Sequence, residues 1–128
     1  MSVIGVDKKH ESAIKHVTGQ AVYIDDMIEA KGILHIAAGQ SPHARARIKS
    51  MNLEKVKAAP GVVHVVTAED VPGTIDVGPV YAGDLLLTSD VVEFIGQTIF
   101  AVAATSLDAA KRAVKFAEIE YELSLIHI

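Results

Sequence analysis

Residues 41–50, SPHARARIKS, place His43, Arg45, Arg47 and Lys49 at every second position. Basic side chains gathered so closely suggest two chemistries: an anion clamp or a nucleic-acid stripe. The intervening Ala44, Ala46 and Ile48 are apolar. A period of two is that of a strand with one face on a core and one in water. The basic residues then take the water face. A single-strand nucleic-acid stripe normally interleaves aromatic side chains for stacking, and none occurs here. Basic side chains on a strand also discourage edge-to-edge pairing. The preferred reading is a solvated strand face; an anion clamp stays open, though no motif specifies one.

Other groups that could carry chemistry are scattered. The six histidines are His10, His16, His35, His43, His64 and His127. Metal sites need ligands that converge, commonly as i, i+3 or i, i+4 pairs, and these spacings show none. His35 and His64 are isolated in apolar runs and read as core or edge histidines with a backbone partner. Asp25 and Asp26 are adjacent, so on an extended chain they point to opposite sides; a turn or cap role is expected. Glu118, Glu120 and Glu122 share one strand face and read as solvated. Gly-x-Gly-x-x-Gly, Gly-x-x-x-x-Gly-Lys-Ser/Thr and Gly-x-Ser-x-Gly are all absent. Serine, histidine and aspartate occur, but occurrence alone signals no triad. No catalytic, cofactor-binding or metal-ligating residue is therefore assigned.

The chain that must position these groups has 128 residues, enough for one domain with its own core. Half of it is hydrophobic, which excludes disorder. Twelve basic against 16 acidic residues give a net charge of -4, which argues against nonspecific nucleic-acid binding. Without cysteine the chain holds no disulfide, thiolate nucleophile or iron–sulfur ligand. The first 16 residues carry lysines and acids where a signal peptide needs an apolar segment. No run approaches the roughly 18 apolar residues of a membrane span. A soluble, cytoplasmic protein is expected, with no membrane partner.

The elements follow from periodicity and punctuation. The first 20 residues lack a clean period and predict an irregular arm. A short apolar stretch at 21–24 ends at Asp25-Asp26. ILHIAAGQ predicts a strand buried on both faces or nearly so. Residues 42–49 form the alternating strand. Leu53, Val56 and Ala59 share a helical face, with Asn52 as N-cap and Pro60-Gly61 as the stop. VVHVVT is a β-branched strand. AEDVPG reads as a turn or single helical turn, and residues 73–84 as a loop with short extended pieces. Residues 91–95 and 98–104 predict two strands; Gly96-Gln97 between them is either a tight turn or a bulge in one bent strand. TSLDAAKRAVKFA is the clearest helix, with Thr105 and Asp108 at capping-box spacing and a stripe of Leu107, Ala110, Val114 and Ala117. EIEYE closes with Ile119 and Tyr121 inward. The order predicts an α+β fold with a mixed sheet and two main helices.

Three stretches, HVTGQAVYIDDM, SPHARARIKSMNLEKVKAAPGVVHVVTAEDVPG and VEFIGQTIFAVAATSLDAAKRAVKFAEIEYE, occur in this order. Together they resemble the N-terminal α/β-hammerhead domain of the xanthine dehydrogenase and aldehyde oxidase family, the molybdenum hydroxylases. The resemblance covers residues 17–122, leaving 1–16 as an arm. The start at MSVIG resembles the separate molybdopterin-binding large subunit of a bacterial xanthine dehydrogenase. It implies an oxidoreductase of purine catabolism that hydroxylates hypoxanthine and xanthine to urate at a molybdenum–pterin centre, with oxygen from water. Electrons then leave through iron–sulfur clusters to FAD and NAD. In that family the pterin contacts and the glutamate base lie in later domains, so no cofactor is expected on this chain and no residue is carried over. The implied partners are the remaining molybdopterin domains of the same subunit and a small FAD/iron–sulfur subunit, with no nucleic acid.

Residues 123–128, LSLIHI, depart from the family pattern and are expected to be a non-native tail or truncation scar. The 128 residues are accordingly expected to be an inactive fragment with a packing role. A different class of reading is a standalone regulatory or interaction module that keeps the hammerhead fold. A swinging-arm carrier is a variant of it, but Lys49-Ser50-Met51 does not match the lysine motif that carriers use.

Overall fold

A computed structural model describes residues 4–5 and 7–123. Residues 124–128, which hold His127 and all of the expected tail except Leu123, lie outside the described residues; Leu123 is described and pairs with Ala46 at the end of a strand. The chain divides into two compact units, residues 1–31 and 32–128.

The first unit holds a short helix, α1 (Ala13–Thr18), and a 3-10 turn (Ile24–Asp26). An irregular arm was expected over the first 20 residues. At six residues the helix is too short for a clear period, with only Ala13, Ile14 and Val17 on one face. Gly19 ends it in the left-handed region, at φ +72°. Asp26 caps the following turn by accepting the Tyr23 N–H at 3.0 Å, the role expected of the Asp25-Asp26 pair.

The second unit contains β1 (His35–Gln40), β2 (Ala46–Asn52), α2 (Glu54–Lys57), β3 (Val62–Val66), β4 (Val91–Val92), β5 (Thr98–Ala104), α3 (Leu107–Val114) and β6 (Glu118–Leu123). A 3-10 turn spans Ala68–Asp70. The class is α+β, as the element order implies. The sheet differs in detail: in place of one mixed sheet there are two three-stranded sheets, β1-β5-β3 and β4-β2-β6. Every strand pairing in them is antiparallel.

β5 is the centre of the first sheet, which suits its uninterrupted apolar sequence. Ile99, Phe100, Val102 and Ala104 are buried along it. Leu53, Val56 and Ala59 are buried from the α2 region, on the face the spacing predicts. Burying each larger side chain contributes about 1.5–3 kcal/mol. β1 departs from expectation. It is an edge strand, and Ile36, Ala38 and Gln40 alternate outward, so one face only is buried.

Three further boundaries shift. β2 begins at Ala46 and runs to Asn52, later than the 42–49 expected. α2 starts after Leu53, although the Asn52 side chain still accepts the Glu54 N–H at 3.0 Å. In α3 the cap is Ser106, not Thr105: its hydroxyl accepts the Ala109 N–H at 3.1 Å. The fully buried residues of the helix are Ala109, Ala110 and Ala113, with Val114 and Ala117 of the expected stripe half-buried against the core. Leu107 is largely exposed. The alanine face lets α3 lie close on β1 and β5, where Ala37 and Ala104 meet it.

Candidate functional site

The basic stretch is neutralised within its own sheet. Arg45 lies 3.5 Å from Glu93, Arg47 3.8 Å from Asp90 and Lys49 3.8 Å from Glu122. The pairing register brings this about: Arg47 stands between Val91 of β4 and Glu122 of β6. Further along, the Ser50 hydroxyl donates to Glu120 at 3.3 Å, and Lys55 pairs with Glu118. The three β6 glutamates, together with Asp90 and Glu93 on the other side of β2, are therefore the acidic half of a cross-strand ladder. Each pair is exposed and contributes between zero and about 1 kcal/mol. What the ladder removes is the concentrated positive field that an anion or nucleic acid requires.

His43 leaves the solvent parity assigned to it. It precedes the strand, is half-buried, and sets its ring edge-on to Tyr121, with centroids 4.8 Å apart. Burial raises the Tyr121 hydroxyl above its ordinary value. His35 is half-buried in β1. His64 is exposed on the edge strand β3. In the first unit the Tyr23 hydroxyl and His16 Nδ1 are 3.0 Å apart, and the His10 and His16 rings are 6.3 Å apart. Among the described residues no group of three or more histidine, aspartate or glutamate side chains is placed to hold a metal ion. With no cysteine, the chain supplies no thiolate to an iron–sulfur cluster.

A cleft of about 640 Å³ lies where β2, α2, β3 and the Ala68–Asp70 turn meet, lined among others by Leu53, Lys57, His64, Thr67 and Asp70. Asp70 is held below the usual carboxylate range, first by the Thr67 backbone N–H and then by the Thr67 hydroxyl, at 2.7 and 2.9 Å. His64 and Lys57 add smaller lowering contributions. These bonds close a capping turn, and the carboxylate is already occupied by them.

At the corner between β4 and β5 the chain passes from one sheet to the other. The buried polar side chains among the described residues are Ser41, Thr88 and Gln97, at 2%, 1% and 6% exposure, and all three gather here. The Gln97 side-chain carbonyl accepts the Glu93 N–H at 2.6 Å. Ser41 and the corner exchange main-chain bonds, Ser41 N–H to Gln97 and Gly96 N–H to Ser41, both 2.9 Å. Thr88 donates its hydroxyl to the Val91 carbonyl at 2.7 Å, and its N–H to Thr98 at 3.0 Å. Gly96 turns the chain at φ +92°, a conformation that favours glycine. Of the two sequence readings, the tight turn is the one found, and β4 is short, ending at Val92. The Gly-Gln pair marked the turn; its burial was not legible from sequence.

The family model described as aldehyde oxidase and xanthine dehydrogenase, a/b hammerhead domain, matches residues 18–124. Aldehyde oxidase 3 of Rattus norvegicus is 45% identical over 113 residues, covering 88% of this chain and 8% of its own length. Xanthine dehydrogenase of Oryza sativa subsp. japonica is 38% identical over 120 residues, covering 94% of this chain and 9% of its own. Among solved structures, reconstituted CO dehydrogenase from Oligotropha carboxidovorans aligns with a TM-score of 0.81 at 34% identity, over 94% of this chain and 15% of that one. The chain thus spans less than a tenth of the length of the curated relatives it matches. Among the described residues no helix is long and apolar enough to cross a membrane.

Proposed function

Because this chain belongs to the aldehyde oxidase and xanthine dehydrogenase family, we propose that it serves as the hammerhead domain of a molybdenum hydroxylase acting on hypoxanthine and xanthine. The observation that carries this is the family match across residues 18–124. The domain proper is read as residues 17–122, and its role is mechanical: two sheets locked at a corner form a rigid body for other domains to pack on. The hydroxylation itself belongs to a molybdenum–pterin centre held elsewhere in the enzyme. FAD and iron–sulfur clusters, in other domains or a small subunit, take up the electrons. No residue of this chain is assigned to catalysis, and the enzyme is read as cytoplasmic.

The test is the size of the native product, by immunoblot of source-cell extract with antibody to this domain. A band several times larger than 13.6 kDa supports the reading. A single band at 13.6 kDa overturns it and favours a standalone interaction module.

The higher identity to an aldehyde oxidase than to a xanthine dehydrogenase favours a second reading, in which the substrate is an aldehyde. Steady-state turnover by the purified full-length enzyme separates the two. Faster turnover of xanthine than of a simple aldehyde supports the first reading, and the reverse supports the second.

A further inference from the structure

The corner between β4 and β5 carries Phe94 and Ile95 at its tip, 58% and 69% exposed. Large apolar side chains in water are unremarkable when they sit singly on mobile loops. These two are adjacent, and their turn is tied down by the Glu93 N–H to Gln97 bond and by the main-chain bonds between Ser41 and the Gly96-Gln97 pair. Every buried side-chain polar atom among the described residues has a partner, so the bracing leaves no unmet hydrogen bond. Fixing an apolar tip in advance lowers the ordering cost of association, which is how anchor residues at interfaces act. Beside the tip, the Arg45–Glu93 pair supplies a charged rim.

We propose that Phe94 and Ile95 form a docking knob that inserts into an apolar pocket on another domain of the same enzyme polypeptide. The inference rests on the reading of this chain as one domain of a longer enzyme. The occupant follows from the relatives: the matched region is 8% and 9% of two of them and 15% of a third, so the surface around it is the rest of that polypeptide. The chemistry agrees. The tip has no charge and no side-chain hydrogen-bonding group, so its seat must be apolar and uncharged, with polar partners only at the edge.

Photocrosslinking tests this in the full-length enzyme, with Phe94 replaced by benzoylphenylalanine. Irradiation is expected to join residue 94 to a peptide outside residues 17–122 of the same chain, without a dimer band on a denaturing gel. Phe94→Ser with Ile95→Ser is expected to speed proteolytic release of the domain about tenfold, because cleavage follows the population of the undocked form. Gln97→Ala, which loosens the turn without touching the tip, is expected to lower the crosslink yield. A crosslink to a second copy, or no crosslink at all, overturns the proposal. A native product of 13.6 kDa defeats the domain reading itself. A full-length product whose residue 94 stays uncrosslinked defeats only the knob.

Discussion

Gly39 of β1 stands directly opposite Phe100 of β5, and the phenyl ring fills the space that a Cβ at Gly39 needs. The glycine is buried and its backbone is ordinary for a strand, so volume and not conformation selects it. The ring is one of the largest fully buried side chains in the chain.

Gly39→Ala is therefore expected to destabilise the fold by about 1–3 kcal/mol, the cost of overpacking a filled core. Urea unfolding of the purified chain measures it. A compensating Phe100→Leu in the same chain is expected to recover part of the loss. A Gly39→Ala variant as stable as the parent would mean that the ring moves aside freely.

Gln97→Ala leaves the Glu93 N–H without its acceptor at 2.6 Å. An unmet donor in a part-buried site costs about 1–3 kcal/mol. Hydrogen exchange reads this locally: protection at Glu93 and Gly96 is expected to fall before protection in the middle of β5.

The ladder beside β2 predicts the absence of a nucleic-acid function. A labelled DNA duplex at low ionic strength is expected to show no anisotropy change with the chain. Removing the acidic half, with Asp90→Asn, Glu93→Gln and Glu122→Gln, is expected to create retention on heparin that salt abolishes. Stability is expected to change by no more than about 1 kcal/mol per pair.

Asp70 predicts a pH dependence at the acid end. Its folded carboxyl lies below the ordinary value, so the stability it contributes is present above about pH 4 and is lost as pH falls through the folded value. NMR titration of the carboxyl carbon is expected to show the depression. Thr67→Val, which keeps the backbone donor and removes the hydroxyl, is expected to bring the value part of the way back. Asp70→Asn is expected to abolish this component.

Much of the second unit was legible because its signals are local. β5 is an apolar run without polar interruption, and Leu53, Val56 and Ala59 fall on the face their spacing assigns. β6 alternates as read, with Ile119 and Tyr121 half-buried and the glutamates exposed. Errors arose where tertiary position decides. Ile36 and Ala38 lie on the face of β1 away from α3, and which face a helix covers is a fact of tertiary packing that composition does not carry. Thr105 and Ser106 are both capping residues, and only the backbone geometry selects Ser106. The acidic partners of Arg45, Arg47 and Lys49 became identifiable only with the register. The corner held the least visible information: a glutamine beside a glycine is ordinary turn chemistry until its side chain is found inside.

The strand order also governs when this domain can form during synthesis. β5 is the middle of one sheet and β2 the middle of the other, yet His35 pairs with Ala104 and Asn52 with Glu118. The first sheet lacks its central strand until β5 has left the ribosome, and the second lacks a neighbour of β2 until β6 has followed. β1, β2 and β3 emerge first and wait with their pairing edges open. Such distant pairings are slow to close, and the loop entropy is lost before any contact offsets it. Folding is thus expected to come late in synthesis, the β5-centred sheet first, with apolar strands of the nascent chain unpaired until then.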